Sequence, residues 1–242
     1  MAQDGVKMKL RLDKYLADMG LGTRSEVKKA ITKGLVTVND AVVKKPEMKI
    51  DTQTDQVSFQ GQSVCYAQYE YYMLNKPAGV ISATEDRNDQ TVIDLIDSKR
   101  RKDLFPVGRL DRDTEGLLLI TNDGALAHRL LSPKKHVDKV YYARIRGRVT
   151  EEDVKAFAGG IDIGEEKPTL PGELCILQAD EVSEIELTIR EGKFHQVKRM
   201  FEAVGKEVLY LKRVRMGSLV LDETLETGAY RELTEEEIEK LC

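Results

Sequence analysis

Leu12, Leu16 and Met19 recur at the spacing of one helical face, and Gly20 and Gly22 end the run. Thr23, or Arg24-Ser25, opens a second helix, SEVKKAITKG. Val27 and Ile31 point inward there, Lys28, Lys29 and Lys33 point outward, and Gly34 stops it. LVTVNDAVVKKP then places two short β-branched runs around Asn39-Asp40, the pattern of a hairpin. These elements predict a small unit over residues 8–60. The polar stretch 61–68 has no strong periodicity and reads as a linker.

The pattern changes at Tyr69, where Tyr-Glu-Tyr-Tyr-Met-Leu-Asn reads as a strand ended by Lys76-Pro77-Ala78-Gly79. Further strands are predicted over 104–107, 117–121, 139–146, 174–178, 184–190 and 208–214. Helices are predicted over 91–96, 125–131, 151–158 and 194–204. Strands outnumber helices and strict βαβ alternation is missing. The expected class is therefore α+β, with a large mixed, mostly antiparallel sheet flanked by helices over 69–242.

Composition narrows the function classes. The chain has 242 residues, 41% hydrophobic and 33% charged, enough for a core and a charged surface. It lacks the apolar run of ~18 residues that spans a bilayer, and MAQDGVKMKLRLDKYL lacks the apolar segment of a signal peptide. The expectation is a cytoplasmic protein without a membrane partner. Cys65, Cys175 and Cys242 are odd in number and far apart, and His128, His136 and His195 lie at no metal-ligand spacing with them. No disulfide framework and no metal site are expected. No glycine-rich nucleotide loop occurs, so no cofactor is expected.

The net charge of −4 hides an asymmetry. Residues 7–49 carry eleven Lys/Arg against five Asp/Glu, and residues 222–242 carry eight acids against two bases. A basic head of this kind suits phosphates, although a solvated helix face would look the same.

Three positions carry candidate chemistry. In GRLDRDTEGLLLITNDG, Asp111 lies between Arg109 and Arg112 in a turn ahead of the apolar run Leu117–Ile120. Flanking guanidinium groups would favour its charged form. Such a carboxylate can be an ordinary salt-bridged turn residue, or it can attack or deprotonate a sugar. Around Lys198, Phe194, Val197, Phe201 and Val204 fall on one helical face, read as core. His195 and Lys198 share another face, where an exposed lysine is the common case. In the strand 139–146, Tyr141, Ala143 and Ile145 alternate with Val140, Tyr142 and Arg144, so Tyr141 is either a core aromatic or a site residue.

Two resemblances bear on these alternatives. Arg11-Leu12-Asp13-Lys14-Tyr15-Leu16, Thr23-Arg24-Ser25-Glu26 and Lys33-Gly34-Leu35-Val36-Thr37-Val38-Asn39 resemble the S4 RNA-binding domain. That resemblance implies that Arg11, Lys14, Arg24, Lys28 and Lys29 meet RNA phosphates. GRLDRDTEGLLLITNDG resembles the signature GRLDxxTxGLLLxTxDG of the RsuA-type pseudouridine synthases. Matches continue in Met73–Gly79, Lys139-Val140-Tyr141, Glu191–Phe201 and Tyr230–Ile238.

This second resemblance implies an RNA isomerase that breaks the N1–C1′ bond of a flipped-out uridine and joins C5 to C1′. It implies Asp111 as the catalytic aspartate and Lys198 as the base that pairs with it. It also implies Tyr141 stacking on uracil and acting in the last proton removal. Arg109 would fill the gap left by the flipped base, and His195 would contact RNA. The nearest members act on small-subunit (16S) rRNA, whereas large-subunit members often carry a long basic C-terminal extension that is absent here. The expected partner is thus ribosomal RNA, 16S foremost, bound by a monomer. The competing expectations are a synthase for 23S rRNA and a non-catalytic RNA-binding or ribosome-assembly protein.

Overall fold

The computed structural model describes residues 9–132 and 135–241. Met8, where the first unit is expected to begin, and Cys242, at the end of the second, lie outside the described residues. The chain divides into two units, one running to Glu70 and including Ser98–Asp103, the other comprising Tyr71–Asp97 and the chain from Leu104 onward.

In the first unit, β1 (Lys9–Arg11) leads into α1 (Leu12–Asp18) and α2 (Arg24–Thr32). Thr23 starts α2 with a capping box: its hydroxyl accepts from the Glu26 amide, and the Glu26 carboxylate accepts from the Thr23 amide. Then follow β2 (Val36–Val38), β3 (Ala41–Val42), β4 (Lys49–Asp51), β5 (Val57–Phe59) and β6 (Gln62–Val64). Asn39 and Asp40 take φ of 51° and 64°, as a two-residue hairpin requires. Leu12, Leu16, Val27 and Ile31 close on Val36, Ile50 and Val57 to form the core.

Two expectations change here. The stretch 61–68 contains β6, which pairs with β5. It is a solvated edge strand held by backbone hydrogen bonds, so its polar sequence carries no periodic signal. Residues 98–103 also join this unit, because buried Glu70 accepts from the Arg100 and Arg101 amides and from Arg100 Nε.

The second unit is an α+β fold on a nine-stranded mixed sheet. Its elements are β7 (Tyr71–Lys76), β8 (Phe105–Pro106), β9 (Glu115–Thr121), α3 (Gly124–Leu131), β10 (Lys139–Arg146), α4 (Glu151–Gly159), β11 (Glu173–Gln178), β12 (Val182–Ile189), α5 (Gln196–Ala203), β13 (Glu207–Met216), β14 (Leu219–Val220), β15 (Tyr230–Glu232) and α6 (Glu235–Leu241). The main order is β11-β12-β10-β13-β9-β7-β15. Every pairing is antiparallel except β9 with β13.

The run Leu117–Ile120 is apolar throughout because β9 is covered on both faces. Leu118 and Ile120 enter one core with Tyr72, Leu74, Tyr141 and Phe201, while Leu117 and Leu119 enter another with Met73, Leu126 and Leu130. Each such buried side chain contributes about 1.5–3 kcal/mol. Gly116 is required where β9 meets β13, since a Cβ there would lie 2.3 Å from the Arg213 carbonyl oxygen.

The predicted helix 91–96 is instead a set of turns, with Thr91 Oγ1 and its amide both bonded to Asp94. That side chain supplies a local alternative to helical bonds. The acidic end is more ordered than its sequence suggests. Glu237 accepts from Arg231 and from the Thr234 amide, which fastens the start of α6.

Candidate active site

The loop ahead of β9 carries Asp111, and its shape is fixed from below. Lys76, fully buried at the end of β7, donates to the carbonyls of Pro77, Arg112 and Thr114 at 2.9, 3.3 and 2.9 Å. Burial pulls its ammonium down to about 8, against the opposing pull of Asp113, Glu115 and Asp111. Ser82 Oγ donates to the Leu110 carbonyl and accepts from the Leu110 amide. The Gly79 amide donates to Arg112 O at 2.7 Å, and the Thr114 amide to Asp111 O at 3.1 Å. A carboxylate on so tightly tied a turn is well placed for chemistry.

The cations beside Asp111 differ from those its neighbours in sequence suggest. Arg112 turns away, giving Nε to the Gly79 carbonyl and pairing with Asp89 at 3.0 Å. Arg109 is exposed at the rim of the cleft. A turn sends successive side chains in diverging directions, so adjacency in sequence does not bring the two guanidinium groups onto one carboxylate. The basic side chains that do approach come from α5 and the residue preceding it. Lys198 Nζ lies 3.4 Å from Asp111 Oδ2, and His195 Nε2 lies 3.6 Å from Oδ1.

Lys198 also holds Asp113, at 2.6 and 2.8 Å. That hydrogen bond keeps the Asp113 carboxyl below its ordinary range, against a smaller effect of burial. His195 takes a left-handed conformation, φ 48°, immediately before α5 begins. Phe194 therefore lies outside the helix. It is 69% exposed and stacks on the His195 ring at 3.8 Å between centroids, so it is not the core residue its spacing suggests. Val197, Met200 and Phe201 supply the buried face of α5 instead.

The cleft, about 490 Å³, has a floor made by β10 and β13. Tyr141 lines it, opposite Arg213 in the β10–β13 register. Tyr142 is on the other face of the sheet, edge-on to Tyr210. Lys139, two residues before Tyr141, and Leu211 complete the floor. The structure thus brings Asp111, Tyr141, Lys198, His195 and Arg109 to one cleft.

The five cations of the first unit are organised separately. Asp13 is fully buried and accepts from Arg11 Nε and Nη2, both at 3.0 Å, and from Arg24 Nη2 at 3.2 Å; Lys28 Nζ is at 3.8 Å. Burial pushes its carboxyl up, but the two arginines outweigh that and hold it below its usual range. Lys14 and Lys29 are exposed.

Sequence reasoning misses five residues here. Lys76 and Asp13 lie inside matching motifs without an obvious role. Asp113 occupies a variable position of the signature. Lys139 and Arg213 look like solvated charges. Only the tertiary contacts separate them from ordinary surface lysines and arginines. Among the described residues, no group of three or more His, Cys, Asp or Glu is arranged to hold a metal ion, and no helix is long and apolar enough to cross a membrane.

Residues 70–203, which contain most of this cleft, match the RNA pseudouridylate synthase family, and residues 10–57 match the S4 domain. A Bacillus subtilis protein named "Uncharacterized RNA pseudouridine synthase YtzG" is 48% identical over 96% of this chain and 98% of its own length. "Ribosomal small subunit pseudouridine synthase A" of Vibrio cholerae is 44% identical over 95% of this chain and 98% of its own. "Ribosomal large subunit pseudouridine synthase B" of Bacillus subtilis is 40% identical over 96% of this chain and 95% of its own. A solved structure titled "Crystal structure of pseudouridylate synthase" superposes with a TM-score of 0.68 at 42% identity, covering 96% of this chain and all of that one. The chain belongs to the RNA pseudouridine synthase family, with an N-terminal S4 domain.

Proposed function

We propose that the protein isomerises one uridine of 16S ribosomal RNA to pseudouridine, acting in the cytoplasm as a monomer without a cofactor. The first unit holds RNA through Arg11, Lys14, Arg24, Lys28 and Lys29, and the second performs the chemistry. The target base must leave its stack to reach a cleft of this depth. Arg109, at the rim, occupies the gap left behind and meets phosphate, with His195 as a further RNA contact.

Asp111 is the catalytic carboxylate. It either adds to C1′ or removes the C2′ proton, and on both routes the N1–C1′ electron pair leaves with uracil. Lys198 is the cation that faces the Asp111 carboxylate, 3.4 Å away, as the base excludes water. Tyr141 stacks on the ring and assists removal of the C5 proton once C5 has bonded to C1′, while N1 gains a proton. The balance is an isomerisation.

One observation carries this reading: Asp111 faces the cleft with Lys198 3.4 Å away, on a loop fixed by buried Lys76. The choice of 16S over 23S rests on the small-subunit relatives. The expected difference in C-terminal extension does not help, because the large-subunit relative matches over 95% of its length.

The test is tritium release from 5-³H-uridine-labelled 16S and 23S transcripts and from small-subunit assembly intermediates. Release from a 16S substrate alone is expected, and release from 23S alone would overturn the target. Asp111→Asn should abolish release while RNA binding changes little. A fully active Asn variant would overturn the role of Asp111.

A further inference from the structure

Two cations on the cleft floor make no close ion pair among the described residues. Arg213 is 2% exposed; its Nε donates to the Leu117 carbonyl at 2.8 Å, and its buried Nη2 has no hydrogen-bond partner among the described residues. Lys139 is 8% exposed and, among the described residues, its Nζ donates only to the Val137 carbonyl, at 3.3 Å. Neither has an ion pair within 4.0 Å among the described residues. The nearby acids are engaged elsewhere: Glu191 accepts from the Leu170 amide and Gln196, and Asp138 from Arg190.

Buried charges ordinarily carry a partner, and an unpaired buried donor needs a reason. Burial and the neighbouring Arg213 draw the Lys139 ammonium down, against a smaller opposing pull from Asp138 and Glu191. Their position supplies the reason. Lys139, Tyr141 and Arg213 share one face of β10 and β13, beneath the cleft that holds Asp111.

We infer that Lys139 and Arg213 form an oxyanion subsite that takes a carbonyl oxygen of uracil and stabilises the negative charge the base gains as N1–C1′ breaks. The departing electron pair spreads from N1 onto O2 and O4, so the charge develops on oxygens and not on a proton-transfer group. Fixed cations in a water-poor floor stabilise it with little reorganisation. Phosphate fits this place less well, because Lys139 and Arg213 are buried while the cleft's exposed cation is Arg109 at its rim. The inference rests on the isomerase reading above but not on which RNA is the target. It assigns the same role whichever route Asp111 follows.

The experiment uses full-length protein and whichever transcript the wild type modifies. Lys139→Met should slow single-turnover isomerisation about 10²-fold, the usual effect of losing one oxyanion donor, with KM changed by less than about threefold. Lys139→Arg should restore most of the rate. Arg213→Lys keeps the charge, and a folded Arg213→Lys should be much faster than a folded Arg213→Gln. Binding gives a second readout without chemistry. The wild type should prefer 5-nitrouracil, an anion at neutral pH, over neutral uracil, and Lys139→Met should lose that preference. An unaltered single-turnover rate in Lys139→Met, or a wild type with no preference for the anion, overturns the inference. Wild-type inactivity on every RNA would instead overturn the functional reading.

Discussion

Lys198 bridges two carboxylates unequally, lying 2.6 Å from Asp113 and 3.4 Å from Asp111. The better-held partner is the more exposed one, with Asp113 72% and Asp111 28% accessible at the side chain. One ammonium therefore divides its field between an acid in water and an acid in the cleft. Asp113→Asn should release Lys198 to Asp111 and remove a like charge two residues away. Both changes turn the Lys198 ammonium to Asp111 alone, so kcat/KM of Asp113→Asn should differ from wild type while RNA binding changes little. Lys198→Met should cut the rate. A kcat/KM of Asp113→Asn equal to that of wild type would show that the two carboxylates do not compete.

Lys76 acts through the loop. Its three carbonyl partners come from two segments, Pro77 on its own strand end and Arg112 and Thr114 on the turn that carries Asp111. Lys76→Met takes the ammonium donor from the Pro77 and Thr114 carbonyls, while the Arg112 carbonyl keeps the Gly79 amide. Each lost donor costs about 1–3 kcal/mol unless water enters, so a net destabilisation of about 2–4 kcal/mol is expected in urea titrations. The turn should loosen as well, lowering kcat more than it raises KM. A variant as stable and as fast as wild type would mean that the turn holds its shape without the ammonium.

Much of this is legible in the sequence, and the reason differs by element. The strand 139–146 is readable because its alternation survives into the sheet: Tyr141 faces the cleft and Tyr142 the far side, as the register requires. The loop at Asp111 is readable as a turn ahead of a doubly covered strand. Its cation partners are not, since Lys198 lies 87 positions along the chain and reaches Asp111 only through the packing of α5 on the sheet. Phe194 misleads because helical spacing says nothing about where the helix begins, and His195 in a left-handed conformation moves that start. Residues 98–103 cannot be assigned to the first unit from sequence, because Glu70 captures them through backbone amides, which no side-chain pattern reports.

The basic face of the S4 domain allows a graded test. Arg24 and Lys28 lie about the buried Asp13, which keeps their heads on one side, and Lys29 is exposed beside them on α2. If all three meet phosphates, each releases counterions on binding, and the slope of log K against log salt counts them. The triple change Arg24→Gln, Lys28→Gln, Lys29→Gln should flatten that slope by about 2–3, at roughly 0.7–0.9 for each phosphate left without its cation. Asp13→Asn should act differently. It removes the anchor and keeps the cations, so the unit loses stability while the slope stays near wild type and affinity falls through disordered side chains. Deleting residues 1–60 is a poorer experiment, since it would strip β6 of its partner strand β5. Salt titrations of RNA binding by fluorescence anisotropy decide the matter. An unchanged slope in the triple variant would show these cations to be solvated surface, and RNA contact would then have to come from elsewhere in the chain.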